Sequence, residues 1–485
     1  MEKILKNRYQ WAIVCALFLT ACGVKLYYVA QQHYYVFFSD DLPGSYNLAE
    51  TQGIHQVFRR IFACCDYTLG SVRPFFTTVL YFLTFKWFGY QPQVAWIMGI
   101  LVGSLLVPLY FWAITAMISV EVALASSLIL VWMSNYIWQS ITLTSILCGV
   151  LFIVGALLAA ARYYRGRGVG YLYLAGCLIS LSVFCRYENA ILVPAFVGYE
   201  YLFDKERKFF PKLVYGLLCA GSSLFILYCN YHVFGDPFHM IQLQITAASL
   251  SHNTMPISLA KAFRIVWELQ LKLLNPWLWG AAVAGMIGMV VRYRWRALWL
   301  FSGVLSLPLY LIYKIKTGTL DHYEDYFFLW ALIALPVGLE CVGALFTGLG
   351  RRKSYGVMAL GVVALCAIHS FHRSSEWDTI RWNYSDKIIR LVDVLKGIPA
   401  TAVLYIDDDL NRADPDPFYV QQVLFYLERN PWKYLYFSGK TEPMETEYYL
   451  LTTADKAGQL PQGRGVKVRD YRECGYDGVV LYRFS

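Results

Sequence analysis

Long uninterrupted apolar runs fix what this chain can become. Residues 93–117, 120–138, 141–161, 211–234, 326–348 and 354–371 form such runs, or come close to it. About 18 or more such residues make a helix that crosses the roughly 30 Å hydrocarbon core of a bilayer. Composition agrees, because 58% of the 485 residues are hydrophobic and only 15% are charged, against about a quarter charged in a soluble protein. The net charge of +9 is not a nucleic-acid footprint. The basic residues sit at the ends of apolar runs, as cytosolic anchors do. The expected surroundings are therefore a lipid bilayer, with no nucleic-acid partner.

The first run, 11–30, follows Lys3, Lys6 and Arg8. Leu19-Thr20-Ala21-Cys22 resembles a lipoprotein cleavage box, but the run continues past Cys22 and many further runs follow, so it reads as an uncleaved first span. The cysteines lie mostly inside apolar runs, where they act as small hydrophobes. Cys64, Cys65 and Cys474 fall outside the runs and show no spacing that specifies a disulfide.

Charge also orients the chain. The clusters Arg162/Arg165/Arg167, Lys205/Arg207/Lys208, Arg292/Arg294/Arg296 and Arg351/Arg352/Lys353 are expected in the cytosol, together with the N-terminus. Treating every run as a crossing places Arg162–Arg167 outside. Parity is restored if 74–88, which is short, opens with Pro74 and contains Lys86, is an interfacial or re-entrant helix. The spans are then 11–30, 93–117, 120–138, 141–161, 171–185, 188–203, 211–234, 277–291, 296–314, 326–348 and 354–371, about 11 in all. The expectation is an all-α polytopic membrane domain over 1–372. Its outer loops are 31–92 and 235–276, and a soluble α/β domain over 373–485 lies on the outer side. Strand-like runs at 401–406, 446–452 and 477–484 and a helical pattern at 417–429 support that tail domain.

Polar residues then gather on one face. Asp40-Asp41 closely follows the first span, where a carboxylate is costly unless solvated or used. The pair also reads as a loop acid capping a helix near Ser45. Arg73-Pro74 ends the same loop. The proline suits a first helical turn, and the arginine either grips a lipid phosphate or snorkels to headgroups. Arg186-Tyr187-Glu188 lies at an outer turn, as an ion pair closing that turn or as a second cation near the first. Asp321-His322-Tyr323-Glu324-Asp325-Tyr326 precedes the tenth span, where an exposed loop cap is the plainer reading. Few charges fall inside the spans, whereas a transporter places ionisable groups near the midplane. Asp407-Asp408-Asp409 lacks the glycine and terminal glutamate of a calcium-binding loop and reads as a solvated loop after a strand.

These residues resemble those of the GT-C membrane glycosyltransferases, in the branch with protein O-mannosyltransferases and lipid A aminoarabinose transferases. The matching residues are Ser39-Asp40-Asp41 with Tyr46, Arg73-Pro74 ahead of an apolar helix, Arg186-Tyr187-Glu188, Phe234-Gly235-Asp236-Pro237, and His322-Tyr323. In architecture the resemblance covers residues 8–372. The sequence departs from the family where Asp-Asp replaces a frequent Asp-Glu, and where Pro74 is single and followed by Phe75.

The resemblance implies an inverting transferase that moves a sugar from a polyprenyl-phosphate-linked donor to an acceptor hydroxyl on the outer face. The acceptor is a glycan, a lipid or a protein. The chemistry is consistent with one base and several cations on a phosphate leaving group, where a glycosidase needs paired carboxylates. By the same resemblance Asp40 is the base, and Asp41 orients the acceptor or helps hold a divalent cation such as Mg or Mn. Arg73 and Arg186 bind the donor phosphate, and His322 and Tyr323 line that pocket. Tyr46, Glu188 and Asp236 contact substrate. The expected location is a bacterial inner membrane with a cytoplasmic N-terminus and a periplasmic C-terminal domain. The rival readings are an O-antigen polymerase or ligase, built on a large late outer loop, and a lipid-linked sugar flippase or other transporter. A third is a non-catalytic subunit that kept the fold.

Overall fold

The computed structural model describes residues 2–31, 49–50, 52–62, 75–203, 209–239, 257–273, 276–294, 328–345, 390–399, 402–407, 435–436, 448–453, 466–471 and 479–484, with a few shorter pieces including 309–310, 312–313 and 315–316. The chain divides into two compact units. One holds residues 1–27, 60–77 and 99–372, and the other holds 28–59, 78–98 and 373–485.

The helices follow the apolar runs. They are α1 (Glu2–Gln31), α2 (Ile54–Phe62), α3 (Phe75–Phe88), α4 (Pro92–Ser104), α5 (Leu106–Met117), α6 (Val120–Trp132), α7 (Ser134–Ile141) and α8 (Ser145–Tyr164). The chain continues through α9 (Val169–Cys185), a 3-10 turn (Tyr187–Leu192), α10 (Val193–Phe203), α11 (Phe209–Phe234), α12 (Leu259–Leu273), α13 (Pro276–Tyr293) and α14 (Phe328–Leu345). Among the described residues, 4 helical segments are long and apolar enough to cross a membrane: Tyr9–Ala30, Pro92–Met117, Ser145–Tyr164 and Phe209–Phe234. At 1.5 Å per residue, the 20 residues of α8 rise about 30 Å, the thickness of the hydrocarbon core.

Two of the expected spans are broken rather than continuous. The run 120–138 becomes α6 and α7, with Met133 extended between them (φ −71, ψ 118). The run 188–203 opens as a 3-10 turn before α10. The run 354–371 lies outside the described residues.

In the first unit, small residues let helices meet. A Cβ on Gly176 of α9 would come 3.0–3.2 Å from Leu218 and Tyr215 of α11, and the Ser180 and Ser222 hydroxyls bond at 2.7 Å. Residue numbers rise together along this contact, so α9 and α11 run parallel. Against α8 the register reverses. Gly149 faces Asn189, Cys185 and Ser182, while Gly155 faces Leu178, so α8 and α9 are antiparallel. Tyr110 of α5 donates to the Leu332 carbonyl of α14 at 2.7 Å. Cys229, expected to be a plain small hydrophobe, is disulfide-bonded. Cys64, Cys65 and Cys474 lie outside the described residues.

Polar groups are buried inside this unit as paired sets. Lys25 is 1% exposed. Its Nζ donates to Ser104 Oγ and to Tyr136 Oη, each at 3.0 Å, and the Tyr136 O–H donates in turn to the Gly103 carbonyl. Glu200 is buried too, its carboxylate accepting from Tyr163 Oη at 3.0 Å and Tyr164 Oη at 2.6 Å. Hydrogen bonds of this kind offset part of the several kcal/mol that burying an unbonded charge costs.

In the second unit, Lys86 near the end of α3 donates to the carbonyls of Ala49 and Gln52 at 3.0 and 3.1 Å. The tail forms a 5-stranded sheet in the order β2-β1-β3-β5-β4. Its strands are β1 (Leu404–Asp407), β2 (Leu435–Tyr436), β3 (Tyr448–Thr453), β4 (Val466–Asp470) and β5 (Val479–Phe484). β1 lies parallel to β2 and β3, while β5 is antiparallel to β3 and β4. Tyr448, Leu450 and Phe484 form its core. Asp407 is not the solvated loop residue expected. It ends β1 in a buried position, and Thr452 Oγ1 donates to its Oδ2 at 2.7 Å.

Candidate functional site

The described part of the candidate site forms where α9 ends. Arg186 leaves helical geometry (φ −154, ψ 124), and the chain tightens into the 3-10 turn. A helix end leaves carbonyls without partners. Here Asn189 Nδ2 donates to the Ser182 carbonyl at 2.9 Å. Gly149 of α8 makes room for that amide, since a Cβ there would stand 2.6 Å from Asn189 Nδ2. The antiparallel register brings the first turn of α8 to the same level. Thr144 caps that turn by accepting from the Leu147 N–H.

This scaffold fixes the Arg186 guanidinium on two sides. Nη1 donates to Ser145 Oγ at 3.1 Å. Nε stands 3.6 Å from Glu188 Oε2, and the two side chains are 16% and 12% exposed. Tyr310 lies within electrostatic reach of both charges. Arginine cannot be deprotonated in a protein and presents five N–H donors in a planar fork, a shape that matches phosphate. Glu188 is thus first a counter-ion that orients the guanidinium.

Asp236 belongs to the same unit but has a local role. Gly235 takes φ +72, the left-handed geometry that ends many helices, and its N–H returns to the Tyr231 carbonyl. Asp236 Oδ1 then accepts from the Phe238 N–H at 2.9 Å, a turn typical of aspartate. Asn230 Nδ2 donates to the Pro237 carbonyl at 3.0 Å. Because α9 and α11 are parallel, with Ser180 level with Ser222, residue 236 stands about two helical turns beyond the level of Arg186.

The structure therefore brings Arg186 and Glu188 together and sets Asp236 apart from them. Asp40, Asp41, Tyr46, Arg73, Pro74, His322 and Tyr323 lie outside the described residues. Among the described residues, no group of three or more His, Cys, Asp and Glu is placed to hold a metal ion. Sequence reading missed Ser145, Asn189 and Tyr310. The first two are ordinary helix-end residues whose roles arise from the pairing of α8 with α9. Tyr310 had no local signal.

No protein-family model and no curated protein matches the chain. Solved structures do. ArnT from Cupriavidus metallidurans bound to undecaprenyl phosphate is 12% identical, with 98% of this chain and 97% of that chain covered at a TM-score of 0.53. Its apo form is also 12% identical, with 100% and 98% covered at 0.53. The apo oligosaccharyltransferase of Archaeoglobus fulgidus is 12% identical, with 93% and 70% covered at 0.50. The likeness to ArnT covers nearly the whole of both chains. The chain shares its fold with these proteins.

Proposed function

We propose that the protein is an inverting glycosyltransferase that moves a sugar from a polyprenyl-phosphate carrier to an acceptor hydroxyl on the outer face of the membrane. The observation that carries this reading is the Arg186 guanidinium, held by Ser145 and Glu188 at a helix end. It stands in a fold shared with a protein solved bound to undecaprenyl phosphate. A held cation beside the membrane suits a lipid phosphate better than an aqueous sugar.

The reaction would be a single displacement. Asp40 takes the proton from the acceptor hydroxyl, whose oxygen attacks the anomeric carbon and forms the new glycosidic bond. The bond from that carbon to the phosphate oxygen breaks, and its electron pair leaves with the polyprenyl phosphate. The configuration at the anomeric carbon inverts. Arg73 and Arg186, with His322 and Tyr323 lining the pocket, stabilise the charge gathering on the leaving phosphate. A donor fixed in advance is worth most where such charge develops. Tyr46 and Glu188 contact the substrates, Glu188 also orienting Arg186, and Asp236, about two helical turns beyond Arg186, would contact them only away from the donor phosphate. Asp41 orients the acceptor or ligates Mg or Mn, a role carried by family resemblance. The acceptor is a glycan, lipid or protein hydroxyl.

Three features support the outer placement. The clustered Arg162, Arg165 and Arg167 follow the opposite end of α8 from Ser145, as expected if that end is cytosolic. Lys86 binds backbone carbonyls of the first loop, which requires the end of α3 to lie on the side of that loop. α3 is then an interfacial or re-entrant helix, and about 21 Å for its 14 residues is short for a crossing. The disulfide at Cys229, near the end of α11, suits an oxidising compartment. This topology gives about 11 spans over 1–372 and a periplasmic domain over 373–485, in a bacterial inner membrane.

A flippase would move the donor without breaking a bond, and a polymerase or ligase would need a different loop. The test supplies radiolabelled polyprenyl-phosphate sugar to membranes carrying wild type, Asp40→Asn or Arg73→Ala. Loss of transfer with donor binding retained in Asp40→Asn supports the proposal. Wild-type transfer by a folded Asp40→Asn protein would sink the assignment of the base.

A further inference from the structure

We propose that helix α12 is a membrane-surface helix whose Leu259, Phe263 and Trp267 stripe inserts into the phospholipid leaflet beside it. Ser258 starts the helix, its Oγ accepting from the Lys261 N–H at 3.3 Å. The helix carries Lys261, Arg264 and Glu268 within its first three turns, too many charges for a buried membrane span.

Its side chains sort into three sectors. At about 100° per residue, Ala262 and Val266 share one face, and both are buried against the protein. Leu259, Phe263 and Trp267 share a second face, one turn apart from each other, and remain 57%, 55% and 45% exposed. Lys261, Arg264 and Glu268 form the third and also face outward, with Arg264 Nε bonded to Glu268 Oε1 at 2.8 Å. One sector is therefore covered, and the two open sectors are apolar and charged. That division is what a helix lying at a lipid–water boundary requires.

The chain pins both ends at such a boundary. The Ile257 N–H just ahead of the helix donates to the Lys316 carbonyl at 3.1 Å, where the described helical residues 309–310, 312–313 and 315–316 follow the course of the ninth expected span to its end. At the other end, α13 begins within three residues of Leu273. Trp267 meets Trp279 of α13 edge-on, with ring centroids 4.5 Å apart. Tryptophans concentrate at the headgroup level of bilayers. The apolar stripe is thus continuous through this pair with α13, whose Ile287 and Val291 are exposed as lipid-facing residues are. Lys261 and Arg264 border the stripe, where long basic side chains can lay their stems on apolar surface and keep their charges in water. A second copy of the chain or a soluble protein would not require this alignment with the span ends. The inference holds whether or not the protein transfers sugar.

The test uses the full-length protein in nanodiscs of phosphatidylethanolamine and phosphatidylglycerol containing a phospholipid with a carbene-generating acyl chain. Mass spectrometry then reads the labelled residues, with hydroxyl-radical footprinting as the water-facing counterpart. The expected result is carbene labelling of Leu259, Phe263 and Trp267 at the level seen on Ile287 and Val291, with radical labelling of Lys261. The proposal is overturned if Ile287 and Val291 take the carbene while the stripe does not. Radical labelling of the stripe would then mean that it faces water. Protection from both reagents would mean that protein covers it.

Discussion

Replacing Arg186 with alanine should separate a phosphate-binding cation from a structural one. At 3.6 Å from Glu188, the Coulomb attraction is gross about 4–5 kcal/mol at an effective dielectric of about 20. Desolvation of both groups offsets most of it. Removing the guanidinium leaves Glu188, 12% exposed, without that counter-ion. It also deletes the bond to Ser145. The expected loss of stability is about 1–3 kcal/mol, visible as a lower unfolding temperature in detergent. Loss of a held donor from a developing negative charge should separately lower kcat about 100- to 1,000-fold. The pair Arg186→Ala/Glu188→Ala distinguishes the two effects. It removes the stranded carboxylate, so the melting temperature should recover towards wild type while transfer stays low. Donor turnover measured for both variants and wild type closes the comparison. If the double variant regains transfer to within about threefold of wild type, under 1 kcal/mol, Arg186 only balances Glu188 and its phosphate role is refuted.

Other perturbations test the scaffold and the remaining assignments. Gly103→Ala puts a Cβ 2.5 Å from Ser140 Cβ, and overpacking of this kind should cost about 1–3 kcal/mol, read by thermal unfolding. Tyr164→Phe removes a 2.6 Å bond to Glu200 and should lower stability by about 1–3 kcal/mol while leaving donor KM within twofold of wild type. Thr452→Val deprives buried Asp407 of its hydroxyl partner, and hydrogen exchange should then accelerate in β1 and β3 before the membrane helices respond. Chelation with EDTA followed by Mg or Mn addition tests Asp41. A metal role predicts loss and recovery in wild type and no metal response in Asp41→Asn.

The membrane domain was readable wherever lipid imposes a rule on sequence. Uninterrupted apolar runs located α1, α8 and α11 closely, because a spanning helix has to be apolar throughout. Reading 120–138 as one apolar run hid the break at Met133, which falls just ahead of the polar pair Ser134-Asn135. Glu200 falls inside the expected span 188–203, and nothing local in the sequence marks it as buried. Its burial comes from Tyr163 and Tyr164, supplied by the far end of α8.

In the tail, alternation exposed β1, β3 and β5, which line the middle of the sheet. It missed β4, an edge strand whose Val466 and Val468 face outward, and the short β2. At the site, Arg186 and Glu188 were legible as a charged turn. Ser145 was not, because only the antiparallel pairing of α8 and α9 brings a serine in an apolar run to the guanidinium.

The proposed reaction breaks the bond between sugar and polyprenyl phosphate at this site. It is tested most directly by incubating the purified protein in nanodiscs with a polyprenyl-phosphate sugar of known anomeric configuration and an acceptor mixture. Free polyprenyl phosphate and the glycosidic linkage of the product are then measured. The expected result is release of polyprenyl phosphate in step with a product of inverted configuration, both abolished in Asp40→Asn. Movement of intact donor across the bilayer with no polyprenyl phosphate released, or a product of retained configuration, would contradict it.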